Sequence, residues 1–298
     1  MANLRDIRRR IKSVKNTAQI TKAMQLVAAS KMKKAQDQAM SGRSYADLLN
    51  KVLVNLKEQT TEEDHPLLKE HDGNRELVIV VSTDKGLCGA LNTNVLRLVS
   101  ESVSKDATFV TIGNKGKQAL ARLNRELLAD FSIDDPVAFL AAKQVSEFAM
   151  EKFLSGEYDT VKVAFTNFIN TISQEAMVET LLPIRPIDLG RDKSFVGVGR
   201  EPDPVDTNLG PEYGGYIFEP TPKSVLNSIV PQYVNYQLYQ MVLESRASEH
   251  SSRMVAMKAA TDNAEDMIKD LTLDYNKQRQ AAITSELLEI TTAMRALE

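Results

Sequence analysis

Residues 254–290 read MVAMKAATDNAEDMIKDLTLDYNKQRQAAITSELLEI. They contain neither glycine nor proline, and they lie within residues 232–298, a run of 67 that also lacks both. Inside a helix a glycine costs about 1 kcal/mol and a proline about 3 kcal/mol. A run without them is free to form one very long helix. At about 1.5 Å per residue, these 67 residues would make a rod about 100 Å long. Apolar positions recur at spacings of three and four: Leu243, Ala247, Met254, Met257, Ala260, Ala264, Met267, Ile268 and Leu271, then Tyr275, Ala282, Leu287, Ile290, Met294 and Leu297. That spacing predicts a helix with one buried seam.

The other end of the chain has the same character. Residues 1–65 hold only Gly42, whereas all ten prolines lie between Pro66 and Pro231. Leu4, Ile7, Ile11, Val14, Ala18, Thr21, Ala28, Met32, Ala35 and Ala39 form a heptad-like stripe, with Ile20, Met24 and Val27 on an adjacent face. Both seams are rich in alanine and methionine, which permit close approach and repacking. Two such arms, one at each end of a domain, pair most simply as an antiparallel coiled coil. Their charges are opposite: residues 1–34 hold ten Lys/Arg and one acid, residues 254–298 five Lys/Arg and eight acids.

The middle alternates strand and helix signals, which implies a mainly parallel sheet with crossover helices. Predicted strands are Glu76–Val81, Thr108–Ile112, Thr160–Phe168 and Val178–Ile184. Predicted helices are Leu91–Val103, Lys115–Leu128 and Val137–Leu154. A Gly/Pro-rich loop at 190–215 precedes a short strand, Tyr216–Glu219. The fold class is therefore α/β: a long antiparallel coiled coil of the terminal helices plus a Rossmann-like, mainly parallel domain. Residues 1–65 form the first shaft helix, 66–222 the α/β domain and 223–298 the second shaft helix.

Composition excludes several classes. The 298 residues have a net charge of −3, so no overall excess points to nucleic acid or membrane. Cys88 is the only cysteine, so no intrachain disulfide exists, as suits a reducing compartment. The longest uncharged run, Ser224–Leu243, carries Pro231 and seven Asn, Gln or Ser side chains, which hydrocarbon disfavours. The basic start is not followed by the apolar stretch of a secretory signal.

Candidate chemistry is sparse. The turn Thr83-Asp84-Lys85-Gly86-Leu87-Cys88-Gly89 lies between a strand and a helix, where phosphates bind in doubly wound folds. Its glycines are spaced GxxG, however, without the GxGxxG or GK[ST] pattern, so a tight turn is favoured. Gly113–Lys117 is a similar, weaker candidate. Cys88 lacks a histidine nearby in sequence, and no GxSxG elbow is present. His65 and His71 could ligate a metal but more simply flank a loop. The acids Asp262, Glu265 and Asp266 suit a solvated helix face. Residues 5–34 are basic but contain no aromatic residue to stack on bases. Tyr233, Tyr236 and Tyr239 suit a core-facing stripe. The residues alone favour an interaction or mechanical protein. A basic coiled-coil nucleic-acid binder and a nucleotide-binding α/β enzyme remain as alternatives.

Three stretches carry a resemblance: Ile7–Gln36, Ser82–Asn94 (STDKGLCGALNTN) and Met254–Ile290. Together, and in this order, they closely resemble the gamma subunit of F-type ATP synthases. The start matches the mature start of that family, which suggests a bacterial or organelle-encoded form rather than one with a transit peptide. The resemblance implies an asymmetric central-stalk rotor. Its two terminal helices would form a shaft inside a ring of three alpha and three beta subunits. Its α/β domain would form a foot on the membrane rotor ring of c subunits, beside epsilon. Ion flow would thereby be coupled to ATP synthesis or hydrolysis on the beta subunits. No cofactor of its own is implied, Mg-ATP being held by partner subunits, and no catalytic site. The resemblance places the complex on the cytoplasmic side of the cell inner membrane, with this chain peripheral to it.

By the same resemblance, Arg279, Gln280, Thr284 and Glu286 match a polar band that touches beta-subunit loops, with Met24 at the facing position on the first helix. Leu287, Ile290, Met294 and Leu297 would sit in the apolar sleeve of the ring. Tyr216, Phe218 and Glu219 match the foot near epsilon and the rotor ring. A single cysteine departs from the chloroplast branch and its regulatory dithiol. The loop at 190–215 is longer than expected for a short bacterial member.

Overall fold

A computed structural model describes residues 4–42, 45, 48, 49, 52, 53, 56, 65–71, 73–184 and 218–297. Among the described residues the elements that build the fold are α1 (Leu4–Ser41), β1 (Glu76–Val81), α2 (Leu91–Ser102), β2 (Thr108–Ile112), α3 (Asn114–Arg122), β3 (Leu127–Phe131), α4 (Phe139–Leu154), β4 (Thr160–Phe168), β5 (Gln174–Leu182) and α5 (Pro222–Leu297). The chain forms two compact units. One comprises Met1–Ala28 and Met254–Glu298, the other Ala29–Arg253. The sequence boundaries fall at 65/66, just before the first proline, and at 222/223, just after Pro222. The units divide elsewhere, because stretches of both long helices pack on the sheet.

In the sheet unit the strand order is β3-β2-β1-β4-β5. The first four strands are parallel, and β5 runs antiparallel to β4. Both faces of the sheet are covered, so β1 reads as a continuous apolar run. Alternation sends Val78 and Val80 to one face, against Val95 and Val99 of α2 and Leu120 of α3. Leu77, Ile79 and Val81 go to the other face. There they meet Val145 and Phe153 of α4, Ala35 and Ala39 of α1, and Leu238 and Val242 of α5. Each large aliphatic side chain buried this way contributes about 1.5–3 kcal/mol.

Three expectations are corrected. The helix expected over Lys115–Leu128 ends at Arg122. Asn124 there takes φ +50°, the left-handed conformation that stops a helix. The residues beyond form β3, whose side chains alternate between half-buried and exposed. The last strand starts at Gln174, not Val178. Of the strand expected at Tyr216–Glu219, Tyr216 lies outside the described residues, as does the loop 190–215; Phe218 and Glu219 are not in a strand.

The long C-terminal helix starts at Pro222 and passes through Pro231. A proline lacks the N–H that would bind the carbonyl four residues earlier. That carbonyl belongs to Asn227, and the imidazole of His65 hydrogen-bonds to it instead. The other ring nitrogen, Nδ1, accepts from Leu67 N–H at 3.1 Å. His65 thus supplies the donor that Pro231 cannot, which lets the helix run on. Burial pushes its pKa below 6.5, which keeps Nδ1 free to accept.

In the coil unit, Ile7, Ala18, Thr21 and Ala28 of α1 are buried, as are Met257, Thr261 and Ala264 of α5. The hydroxyls of Thr21 and Thr261 are 2.7 Å apart. They also reach Ala18 O and Met257 O in their own helices. At 2.7 Å one hydroxyl donates to the other across the interface, which leaves one proton for the two carbonyls, and this cross-helix bond fixes the register, as a buried polar residue does in coiled coils. Counting seventeen residues outward from that pair sets Leu4 against Gln278.

A double-mutant cycle of Thr21→Val and Thr261→Val is expected to show a coupling of about 0.5–1.5 kcal/mol in chemical unfolding, and no coupling would remove the register role. Gly113 has φ +99°, and a Cβ there would lie 2.4 Å from Ser82 O, whereas a Cβ on Gly86 meets only Lys115 Cε at 3.9 Å. Gly113→Ala should therefore cost roughly 1–3 kcal/mol, and Gly86→Ala less than about 0.5 kcal/mol, as read by urea denaturation.

Candidate functional site

In doubly wound folds ligands bind beyond the carboxyl ends of the strands, where the strand order reverses. Here that crevice lies between β1 and β4. It is occupied by the chain itself. Beyond the end of its pairing with β1, Thr166 of β4 makes two hydrogen bonds with α5: its N–H donates to Ser245 Oγ at 3.1 Å, and its carbonyl accepts from Ser248 Oγ at 3.2 Å.

The turn after β1 is committed in the same way. Its carbonyls point at α5: Cys88 O accepts from Ser252 Oγ at 2.7 Å, and Lys85 O and Gly86 O accept from Arg253 Nη2 at 3.2 and 3.3 Å. The start of α3 is also committed. Asn114 N–H donates to Asp84 Oδ1, Lys115 N–H to Thr83 O and Gly116 N–H to Ser82 Oγ. The Asp84 carboxylate stands where a phosphate would have to bind. Both turns that suggested a phosphate cradle instead hold helices. Leu87, at φ +62° and 64% exposed, is the outermost side chain of the first turn.

Cys88 is buried, with Thr83 Oγ1 at 3.8 Å and the Asn92 amide at 3.4 Å from its sulfur. His71 stacks on Phe153, with ring centroids 4.6 Å apart, and lies 4.0 Å from Asp159. Asp159 takes two bonds from the Arg75 guanidinium and one from its backbone N–H, which hold its pKa below 3.8. His65 serves α5, as described above. Among the described residues no cluster of His, Cys, Asp and Glu has the arrangement of a metal site. Nor is any helix among them long and apolar enough to cross a membrane.

The residues singled out from the sequence fall into three groups. Arg279, Gln280 and Glu286 are exposed on α5, and Thr284 Oγ1 donates to Gln280 O at 2.9 Å. Met24 is half-buried on α1, but the Thr21–Thr261 register sets it level with Lys258, not with Arg279. The 21 residues between those two levels separate Met24 from the polar band by about 30 Å. The structure does not bring these residues together.

The second group is apolar. Leu287, Ile290 and Met294, read as the end of the buried seam, are 58%, 57% and 63% exposed. The reason is length: α1 begins at Leu4, opposite Gln278, so no residue of α1 lies level with them. Ile283 and Leu288 share this exposure. Leu297 ends the helix, and its side chain lies outside the described residues. In the third group, Phe218 packs partly buried against the core and Glu219 is exposed.

Sequence reasoning missed the stretch Met241–Ser251, in which every residue is buried although seven are polar. Arg246 donates to Glu249 at 2.8 Å and to Ile133 O at 2.7 Å, and faces Asp84 at 3.5 Å. His250 Nε2 lies 3.0 Å from Asp135 Oδ2, and Lys31 of α1 donates to the same oxygen at 2.8 Å. Burial raises the Asp135 pKa, but the Lys31 bond and the charges of Lys31 and Arg246, with that of His250 whenever it is protonated, outweigh it and hold the pKa below 3.8. Burial lowers that of His250 below 6.5, against the attraction of Glu249 and Asp135.

A two-helix coil of chain termini, overhanging at one end and joined to a closed α/β domain, is the architecture of the central stalk of ATP synthases. The pattern of the ATP synthase family matches residues 3–297. The chain is 50% identical over 298 residues to the ATP synthase gamma chain of Akkermansia muciniphila, covering 100% of both. It is 46% identical to that of Opitutus terrae, covering 99% of both. The fold matches a chain of the Euglena gracilis mitochondrial ATP synthase (TM-score 0.68, 19% identity, 99% of this chain and 94% of that one). It also matches one of the Tetrahymena thermophila central stalk and c-ring (TM-score 0.58, 26% identity, 81% and 99%). The chain belongs to the ATP synthase gamma chain family, the central-stalk rotor subunits of that enzyme complex.

The lowered His250 pKa gives a pH prediction. A buried histidine held neutral contributes stability that is complete above 6.5 and is lost as pH falls below it. His65 acts in the same direction. The urea midpoint of the purified chain should fall between pH 7.5 and pH 5.5, and His250→Gln should flatten part of that fall.

Proposed function

We propose that the exposed end of α5 works inside the catalytic ring of the complex, and that this chain carries no catalytic site of its own. The observation that carries the reading is the overhang. From Ile283 to Met294 the helix presents Ile283, Leu287, Leu288, Ile290 and Met294 to solvent, with no residue of α1 opposite. An exposed apolar face of this extent marks an interaction surface. An apolar sleeve formed by the alpha and beta subunits fits it. Overlapping the start of this stretch, the exposed Arg279, Gln280 and Glu286, with Thr284, form a polar band suited to reversible hydrogen bonds with beta-subunit loops. Met24, at the level of Lys258, would meet the ring about 30 Å away from that band.

The asymmetry of this surface is what the mechanism needs. A shaft shifts the conformational equilibrium of a catalytic subunit only through a difference in its contacts with the alternative states. Turning an asymmetric helix pair presents each beta subunit with a different face. Mg-ATP would bind to the ring, not to this chain. The sheet unit would contact epsilon and the membrane rotor ring of c subunits through the region of Tyr216, Phe218 and Glu219, with ion flow driving rotation. The chain would be peripheral to the inner membrane, on its cytoplasmic face.

The test uses the assembled complex. Arg279→Ala combined with Gln280→Ala should weaken assembly or lower coupled ATP turnover by about tenfold, the effect of roughly 1.4 kcal/mol. Normal assembly and turnover in that double variant would remove both residues from the contact band. Leu287→Asp with Ile290→Asp should reduce recovery of the catalytic ring with this chain; full recovery would remove the sleeve contact.

A further inference from the structure

A helix on a sheet ordinarily buries one stripe and wets the other. From Met241 to Ser251, α5 is buried on every side, and with polar side chains. Its neighbours hold it by directional bonds from different directions. Ser245 and Ser248 grip Thr166 at the end of β4. Ser251 Oγ donates to Thr171 O of the β4–β5 hairpin at 2.7 Å. Ser252 donates to the turn after β1. Arg246 donates to Ile133 O in the loop between β3 and α4. Apolar packing resists separation but is not directional, so a helix can roll or slide on it. Charge-assisted and hydroxyl hydrogen bonds are directional, and bonds placed around a helix resist rotation about its axis.

We propose that Glu244–Arg253 is the torque joint of the rotor: a polar collar that locks α5 against rotation about its own axis within the sheet unit. The proposal rests on the central-stalk function. The collar spends four serines and a buried arginine where alanine and leucine would fill the space. It lies at the last turns of α5 that belong to the sheet unit. A torque applied to the sheet unit therefore enters the shaft helix through it. Arg246 and the serines are positioning residues, and none of them belongs to the contact band or the sleeve.

The test compares two activities of the complete synthase in sealed vesicles. ATP hydrolysis needs only the shaft turning in the catalytic ring, whereas ATP-driven ion pumping needs torque delivered to the membrane. Arg246→Met keeps the length of the side chain and removes its bonds. Ser245→Ala with Ser252→Ala removes two grips with little change of volume. Each should leave hydrolysis within about twofold of normal and lower pumping by about fivefold, with Arg246→Lys intermediate. The torsional stiffness of the stalk, read from angular fluctuations of a probe on the stalled motor, should fall in parallel. Unchanged pumping and stiffness in the serine variant would overturn the proposal. So would hydrolysis and pumping falling by the same factor, which would mean general damage. If Arg246→Met does not assemble, the serine variant decides alone. Failure of the central-stalk function would look different: the unmodified chain would not recover ATPase activity with its partners.

Discussion

The antiparallel pairing of the two chain ends is the constraint on which the rest depends. It requires two breaker-free helices, small side chains at the seam and one register. Ala18, Ala28 and Ala264 let the backbones approach, and the Thr21–Thr261 contact excludes neighbouring alignments. Once that register is set, the unequal lengths of α1 and α5 leave residues 283–297 with no residue of α1 opposite them. The apolar end is therefore a consequence of geometry: the seam continues in sequence where the partner helix has stopped.

The sheet unit solves a different problem. Its topology is that of a ligand-binding fold, with a crevice at the ends of β1 and β4. That crevice is filled by α5, and the N–H groups that could cradle a phosphate are bound by Ser82, Thr83 and Asp84. The fold serves as a mount for a helix. The cost of burying Glu249, Arg246, His250 and Asp135 is partly offset because Arg246 faces Glu249 and donates to Ile133 O, and Asp135 faces Lys31 and His250, although Arg246 Nε and His250 Nδ1 meet no hydrogen-bond partner among the described residues. A purely apolar mount would be as stable or more so. What the polar one adds is a fixed orientation.

Much of this was legible in the sequence. The absence of Gly and Pro after 231 announced the long helix, and the spacing of Ala18, Thr21 and Ala28 announced its partner. The runs Glu76–Val81 and Thr160–Phe168 were strands as read, because parallel strands covered on both faces are continuous in apolar residues. Other parts were not. LESRASEHSS, residues 243–252, has the composition of a wet helix surface, and only the elements wrapped around it make it an interior. How the helix runs on through Pro231 was not legible, because the donor that compensates for the missing N–H, His65, is 166 residues away. β3 was hidden behind the helix-forming stretch that precedes it, since asparagine only permits the left-handed stop that Asn124 makes and is also found inside helices.

By itself, then, the sequence determined the periodic and local features: helices where breakers are absent, strands where apolar runs are short, a coil where two seams match. Periodicity is a property of neighbouring residues, and it survives without knowledge of the fold. The tertiary structure alone decided the register of Thr21 on Thr261, the distance between Met24 and the polar band, the closed crevice and the buried polar collar. These depend on residues far apart in the chain meeting in space, and hydrogen-bond partnership at such separations leaves no periodic trace.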